Sequence, residues 1–194
     1  MFYSLGKFIY FKFWLIRNLL NLILKRVDFS KDIELRGVLV IKNKGEILLG
    51  KKVRINSSKH TNPIGGGWKT NLQCLKNATI AIGKGSRLSN VSITAKKSVL
   101  IGENVFIGDG VAIFDTDFHP LDLENRLNGQ KGDVHTKFDS VVIGDGVFIG
   151  TRSIILKGVK IGRRSIIGAG SIVTKSVPSD QVWAGNPARY IKKL

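Results

Sequence analysis

The chain has 194 residues, 43% of them hydrophobic, with 22 glycines, four prolines, one cysteine, and 31 Lys and Arg against 14 Asp and Glu. This length buries a core in one domain with room for an appended terminal segment, and the composition excludes a disordered tail protein. The single Cys74 excludes an internal disulfide framework and reads as a small buried hydrophobe of a reducing compartment, while the net charge of +17 predicts an anionic partner. Anionic lipid or a phosphorylated cofactor fits that charge better than nucleic acid, because the basic residues run along the whole chain and no nucleic-acid-binding motif appears.

Residues 1–30 read as an amphipathic helix. Projection at a helical period gathers Phe8, Ile9, Phe11, Leu15, Ile16, Leu19, Leu20, Leu22 and Ile23 on one wide face, with Lys7, Arg17, Asn18, Asn21 and Lys25 opposite. Lys7, Lys12, Arg17 and Lys25 interrupt the run too often for a transmembrane span, and no small-residue cleavage site follows it. Phe8, Tyr10, Phe11, Phe13 and Trp14, interleaved with basic residues, suit a helix lying in a membrane interface. Packing on its own domain or on a neighbouring subunit is the other environment that such a helix fits.

Six-residue repeats start weakly near Gly37, with Ile41, Ile47 and Val53 six apart, and break at a polar, glycine-rich stretch from Ser57 to Asn71. They resume at Ile82 as IGKGSR, slip by one residue between Leu88 and Leu100, and continue as IGENVF and IGDGVA from Ile101. A second break follows Ile113, and residues 114–140 hold two of the three histidines without any repeat. From Ile143 to Pro178 the hexads are continuous: IGDGVF, IGTRSI, ILKGVK, IGRRSI, IGAGSI and VTKSVP. Such a period predicts a parallel β-helix, three hexads to a triangular coil, with Ile143 under Ile161, Ile149 under Ile167 and Ile155 under Val173. The glycine after each opening aliphatic is expected to allow the tight corner. The two breaks are excursion loops, where binding and catalytic groups concentrate on a rigid scaffold.

The second loop opens with FDTDFHPLD. Together with the hexads, Gly168-Ala169-Gly170-Ser171, Val173-Thr174-Lys175 and Ala184-Gly185-Asn186-Pro187-Ala188, it resembles the hexapeptide-repeat acyltransferases, nearest to the maltose, galactoside and xenobiotic acetyltransferases and their polysaccharide O-acetylating relatives. The likeness runs from about residue 80 to the C-terminus. It implies an all-β, left-handed parallel β-helix, a homotrimer, and acetyl-CoA bound between adjacent prisms as acyl donor with no metal required.

The resemblance makes His119 the general base. A sugar hydroxyl is a poor nucleophile, and a neutral imidazole accepts its proton as it attacks a thioester. Asp115 or Asp117 would orient the ring, and the spacing does not choose between them. Asn90, in LSNVSI, falls at an acceptor-binding position of the family, although a corner residue of the β-helix is an equally local explanation. The resemblance places Phe148, Thr151, Ala169, Thr174, Lys175 and Arg189 along the coenzyme groove, where cations suit a pyrophosphate and a 3′-phosphate. Phe148 stands where galactoside-type enzymes have tryptophan, and the family's N-terminal sugar-binding segment has no counterpart. His60 and His135 lie in loops without metal-ligand spacing, which disfavours a β-helical carbonic anhydrase.

The expected organisation is thus a helical segment at 1–30 and a β-helix at 31–194. The expected activity is O-acetylation of a sugar hydroxyl, of a surface-polysaccharide precursor if the helix meets an anionic membrane, in the cytoplasm or at the inner membrane face. A soluble amino sugar, free sugar or antibiotic is the alternative acceptor, and a non-catalytic membrane-docking protein is a further alternative.

Overall fold

The computed structural model describes residues 2–58, 64, 69–127 and 135–194, with backbone alone for 2–12. Helix α1 spans Phe2–Leu24, and everything after it winds into a three-faced prism. Face A stacks Asp28–Phe29, Glu46–Leu49, Thr79–Ile82, Ser98–Ile101, Val141–Ile143 and Lys160–Ile161. Face B stacks Glu34–Gly37, Arg54–Ser57, Arg87–Ser89, Phe106–Ile107, Phe148–Ile149, Ile166–Ile167 and Gln181–Gly185, and Ala188–Lys193 then folds back antiparallel. Face C stacks Val40–Asn43, Asn71–Cys74, Ser92–Ala95, Ala112–Phe114, Ile154–Ile155 and Ile172–Val173. The excursions replace the corner after Ser57 and the corner after Phe114, and the second contains the short helix α2, Leu123–Leu127.

The expected columns form. Ile143 pairs with Ile161, Ile149 with Ile167 and Ile155 with Val173, and these side chains are almost wholly buried. Buried aliphatics fill the prism, up to two from one strand as in Val141 and Ile143 or Ile80 and Ile82, each worth about 1.5–3 kcal/mol. The prism starts earlier than the legible hexads: Asp28–Phe29 already pairs with Leu48–Leu49, and Leu35 and Ile41 are buried. The phase slip falls between Leu88 and Ile93, which are five residues apart, at the corner held by Asn90.

The hexad glycine acts by close approach rather than by its torsion. A Cβ on Gly150 would lie 2.5 Å from the Ala169 backbone nitrogen, and one on Gly108 would lie 2.7 Å from that of Thr151. The left-handed torsion comes two residues later, at Gly110, Gly146, Arg152 and Arg164. Cys74 is buried and unpaired, and burial pushes its thiol pKa up.

Helix α1 meets the prism with part of the polar stripe that lies opposite its wide apolar face. Asn18 is buried, donates to the Gly37 carbonyl at 2.6 Å and accepts from the Leu39 amide, while Asn21 donates to the Leu39 carbonyl. Leu22 enters the core and Leu19 packs against it. The reason is topological: Glu34–Gly37 is the end strand of face B, and a covering helix blunts an exposed sheet edge. The outward side of α1 then shows Phe13, Ile16, Leu20, Ile23 and Leu24, all more than half exposed. The remaining aromatics of the expected interfacial set lie in 2–12, apart from Trp14, whose ring Arg17 covers at 4.9 Å. No described helix is long and apolar enough to cross a membrane.

Candidate active site

The segment carrying His119 leaves the prism at Phe114 and is tied down at its base. The Asp115 carboxylate, fully buried, accepts from the backbone N–H groups of Lys96 (2.7 Å) and Lys97 (2.6 Å), closing the coil beneath. Burial pushes the Asp115 pKa up, and those N–H donors oppose the shift. The Asp115 carbonyl accepts from the Asp139 amide, Thr116 bridges Phe138, and the Asp117 amide donates to the Lys137 carbonyl. Departing and returning strands of the excursion are therefore zipped together at its root.

Beyond that root the chain turns sharply. Phe118 takes a φ of 62°, and its ring meets Phe114 edge-on at 5.1 Å. A non-glycine residue in this region is uncommon and marks an imposed turn. The His119 amide donates to the Asp117 carbonyl at 2.7 Å, and the His119 side chain is exposed. Asp117 Oδ1 pairs with Lys157 Nζ at 2.5 Å, while Asp117 Oδ2 is buried with no hydrogen-bond partner. Thus Asp115 is spent on the backbone below, whereas Asp117 keeps an oxygen that can accept another hydrogen bond.

Asn90 lies at the corner between faces B and C with a φ of 51°, almost wholly buried. Its amide nitrogen donates to Asp109 Oδ1 at 2.6 Å, and its own Oδ1 has no partner. It lines a cavity of about 400 Å³ with Ser92, Gly110, Ala112, Phe114 and Arg152. Phe114 is common to this cavity and to the Phe118 contact, so the structure links Asn90 to the His119 segment through one pair of rings. Asn90 is thus both a corner residue and a cavity wall.

The expected coenzyme residues divide between two edges. Thr151 and Ala169 are successive residues of the B–C corner, where the Thr151 hydroxyl donates to the Asp109 carbonyl. Thr174 and Lys175, both exposed, lie at the C–A corner, with Lys175 one coil above Lys157. Phe148 projects from face B between Phe106 and Ile166 and is 46% exposed. Arg189 is exposed on the terminal strand opposite Ala184. One prism assembles each pair but holds the two pairs on opposite edges of face C.

The reading of residue types passed over Asp109, Phe138 and Lys157. Lys157 had a usable signal, since ILKGVK and VTKSVP both carry lysine in third place, 18 residues apart. Asp109 had none, because IGDGVF at 143–148 carries aspartate in the same third place. His60 lies outside the described residues, and His135 is exposed. Among the described residues no three His, Cys, Asp or Glu side chains cluster as metal ligands would.

The family model for bacterial transferase hexapeptides, six repeats, matches residues 140–175. A Vibrio cholerae hexapeptide-repeat acetyltransferase, solved with acetyl-CoA, is 32% identical and superposes with a TM-score of 0.56 over 67% of this chain and 70% of its own. The chain belongs to the hexapeptide-repeat acetyltransferase family. The prism is accordingly a left-handed parallel β-helix. A maltose O-acetyltransferase from Clostridium difficile is 32% identical, with a TM-score of 0.58 over 75% of this chain and 68% of its own. The Escherichia coli galactoside O-acetyltransferase is 41% identical over 105 residues, 54% of this chain and 49% of that relative. The chain spans about half the length of the curated relatives it matches.

Proposed function

We propose that the protein is an acetyl-CoA-dependent O-acetyltransferase with His119 as general base. The observation that carries the proposal is the exposed His119, set just past a left-handed residue on a loop zipped at its root to rigid coils. Such fixing holds an imidazole where an incoming hydroxyl can reach it without an ordering cost at the moment of reaction. His119 takes the hydroxyl proton as the oxygen attacks the thioester carbonyl, and returns it to the departing thiolate. Asp117, with a carboxylate oxygen to spare, suits the role of orienting the ring better than Asp115 does.

The residues present suit the acyl donor. Gly170 has open space where a Cβ would stand, Ala169 is exposed beside it, and Lys175 is an exposed cation at a corner. A thin pantetheine chain and its phosphates need such a bare backbone edge and fixed positive charge. Because Thr151 and Ala169 lie on one edge and Thr174 and Lys175 on the other, a groove between two copies would unite them. We therefore favour a homotrimer, with Phe106 and Phe148 providing apolar surface on face B. Sedimentation equilibrium tests it, and a monomer with full activity would refute it.

The acceptor we favour is a sugar hydroxyl of a surface-polysaccharide precursor, met at an anionic membrane. Support comes from the exposed stripe Phe13, Ile16, Leu20 and Ile23, with Arg17, Lys25 and Arg26 on the same helix and its end. Apolar and basic groups so combined bind anionic interfaces. Replacing Ile16 and Leu20 with Ser spares the buried Asn18 and Leu22, and should abolish salt-sensitive sedimentation with phosphatidylglycerol vesicles. Unchanged sedimentation, or none in the parent, would leave a soluble sugar as acceptor. For the chemistry, His119→Ala should lower kcat about 10²- to 10⁴-fold at saturating substrates with the oligomer intact; comparable turnover would remove His119 as the base.

A further inference from the structure

A second concave surface lies on the C–A edge, toward α1 from the His119 loop. It is a cleft of about 530 Å³ lined by Lys44, Leu75, Lys76, Asn77, Lys96, Lys97 and Phe138. Register explains why the lysines converge. Asn43, Cys74 and Ala95 end successive strands of face C, so Lys44, Lys76 and the Lys96–Lys97 pair follow them in three adjacent coils. At about 4.8 Å per coil, the positive charge extends over roughly 10 Å along the edge.

Two walls make this a cleft rather than a charged ridge. Leu75 is half-buried at its floor, and Phe138, from the root of the catalytic excursion, closes its upper end with the Lys96 ammonium 5.2 Å from the ring centroid. Lys97 is paired with Asp139 at 2.8 Å, and the buried Asp115 lies behind the Lys96 and Lys97 amides. Among the described residues, four lysines line the cleft and Lys97 is paired with Asp139, so the cleft is cationic. Its lower end abuts the end of α1, where the Asn43 amide donates to the Lys25 and Arg26 carbonyls.

We propose that this cleft binds the phosphate groups of the acceptor, which is then a glycosyl diphosphate rather than a neutral sugar. The inference rests on the acyl-transfer reading above and adds the substrate class. A row of cations in three coils suits an extended dianion or trianion better than a single hydroxyl-rich sugar, which needs neutral and acidic hydrogen-bond partners. The order along the edge is also that of a lipid-linked glycosyl diphosphate on a membrane: lipid at α1, diphosphate in the lysine cleft, sugar at the His119 loop.

The test is calorimetric titration of inorganic pyrophosphate into the full chain, with coenzyme A saturating so that the donor groove is filled. The parent should bind, and a Lys44→Gln, Lys76→Gln double variant with unchanged melting temperature should bind about tenfold or more weakly. In kinetics the same variant should lose its preference for a glycosyl diphosphate over the same sugar without phosphate. Its sedimentation with phosphatidylglycerol vesicles should match the parent. Absence of pyrophosphate binding, binding indifferent to both substitutions, or displacement by coenzyme A would overturn the proposal. Loss of vesicle binding in parallel with pyrophosphate would do the same, since the cleft would then be a lipid-headgroup contact. Failure of every acceptor to turn over would count against acyl transfer itself, while the titration, which needs no turnover, would still decide the cleft.

Discussion

Removing the Asp115 carboxylate should unfold the root of the His119 loop while leaving the proposed chemistry at His119 intact. The side chain is wholly buried and receives backbone N–H groups from Lys96 and Lys97 at 2.7 and 2.6 Å. Hydrogen bonds to a charged group contribute about 1.5–3 kcal/mol each, so two of them give roughly 3–6 kcal/mol. Burial already disfavours this carboxylate, as its raised pKa shows, and deleting it recovers part of that cost. Asp115→Ala should therefore cost about 2–4 kcal/mol in urea denaturation at pH 7 and fixed protein concentration. Asp115→Asn keeps one acceptor but turns an NH₂ toward the other amide, and should lose about half as much. The surviving folded enzyme should keep the parent's pH profile of kcat, whereas Asp117→Asn should shift it. A stability loss below about 0.5 kcal/mol, or an altered kcat profile in a variant as stable as the parent, would mean that Asp115 serves His119 instead.

Ile149→Ala, in the centre of a buried column, should cost about 2–5 kcal/mol by the same denaturation assay, because neighbouring coils cannot collapse into the gap. Gly150→Ala should lower the melting temperature more than Gly170→Ala, since the new Cβ runs into backbone at the first site and at the second meets open space, with only the left-handed φ of 69° to strain it; the reverse order would refute the close-approach account. Lys157→Met removes the partner of Asp117 and should lower kcat while leaving the KM for acetyl-CoA unchanged, measured by thiol release. Glu34, Asp139 and Asp180 have depressed pKa values, held down chiefly by hydrogen bonds from Arg54, Lys97 and Arg164. Their stabilisation is present above the unfolded carboxylate pKa near 4 and is lost as pH falls through the depressed values, whereas the raised Asp115 contributes with the opposite sign. The urea midpoint should consequently fall as the pH drops below about 4, less steeply in about 0.5 M salt because these three pairs are exposed.

His119 stood out in the sequence because residues 114–140 interrupt a strict repeat, and DFHPLD stands in that interruption. The proposed coenzyme residues rest on resemblance alone. Lys175 is one of many exposed lysines among the described residues until the register places it over Lys157 at a corner. Asp115 and Asp117 could not be separated by spacing, since both lie within four residues of His119. What separates them is which way each carboxylate points, inward to the Lys96 and Lys97 amides or toward Lys157.

The hexads by themselves determined the prism, its 18-residue coil and the partners of Ile143, Ile149 and Ile155. A side chain that must point inward every sixth residue leaves no other way to stack. They did not determine where the prism begins or how α1 meets it. Helical periodicity put Asn18 and Asn21 on the stripe opposite the apolar face, but it could not say which side of the helix meets the prism. Tertiary structure decided that, since the first strand of face B ends in carbonyls with no coil below, and asparagine amides are the donors within reach. The lysine cleft arose in the same way: Lys44, Lys76 and Lys96 are separated by 32 and 20 residues in the chain, and only parallel stacking makes them neighbours.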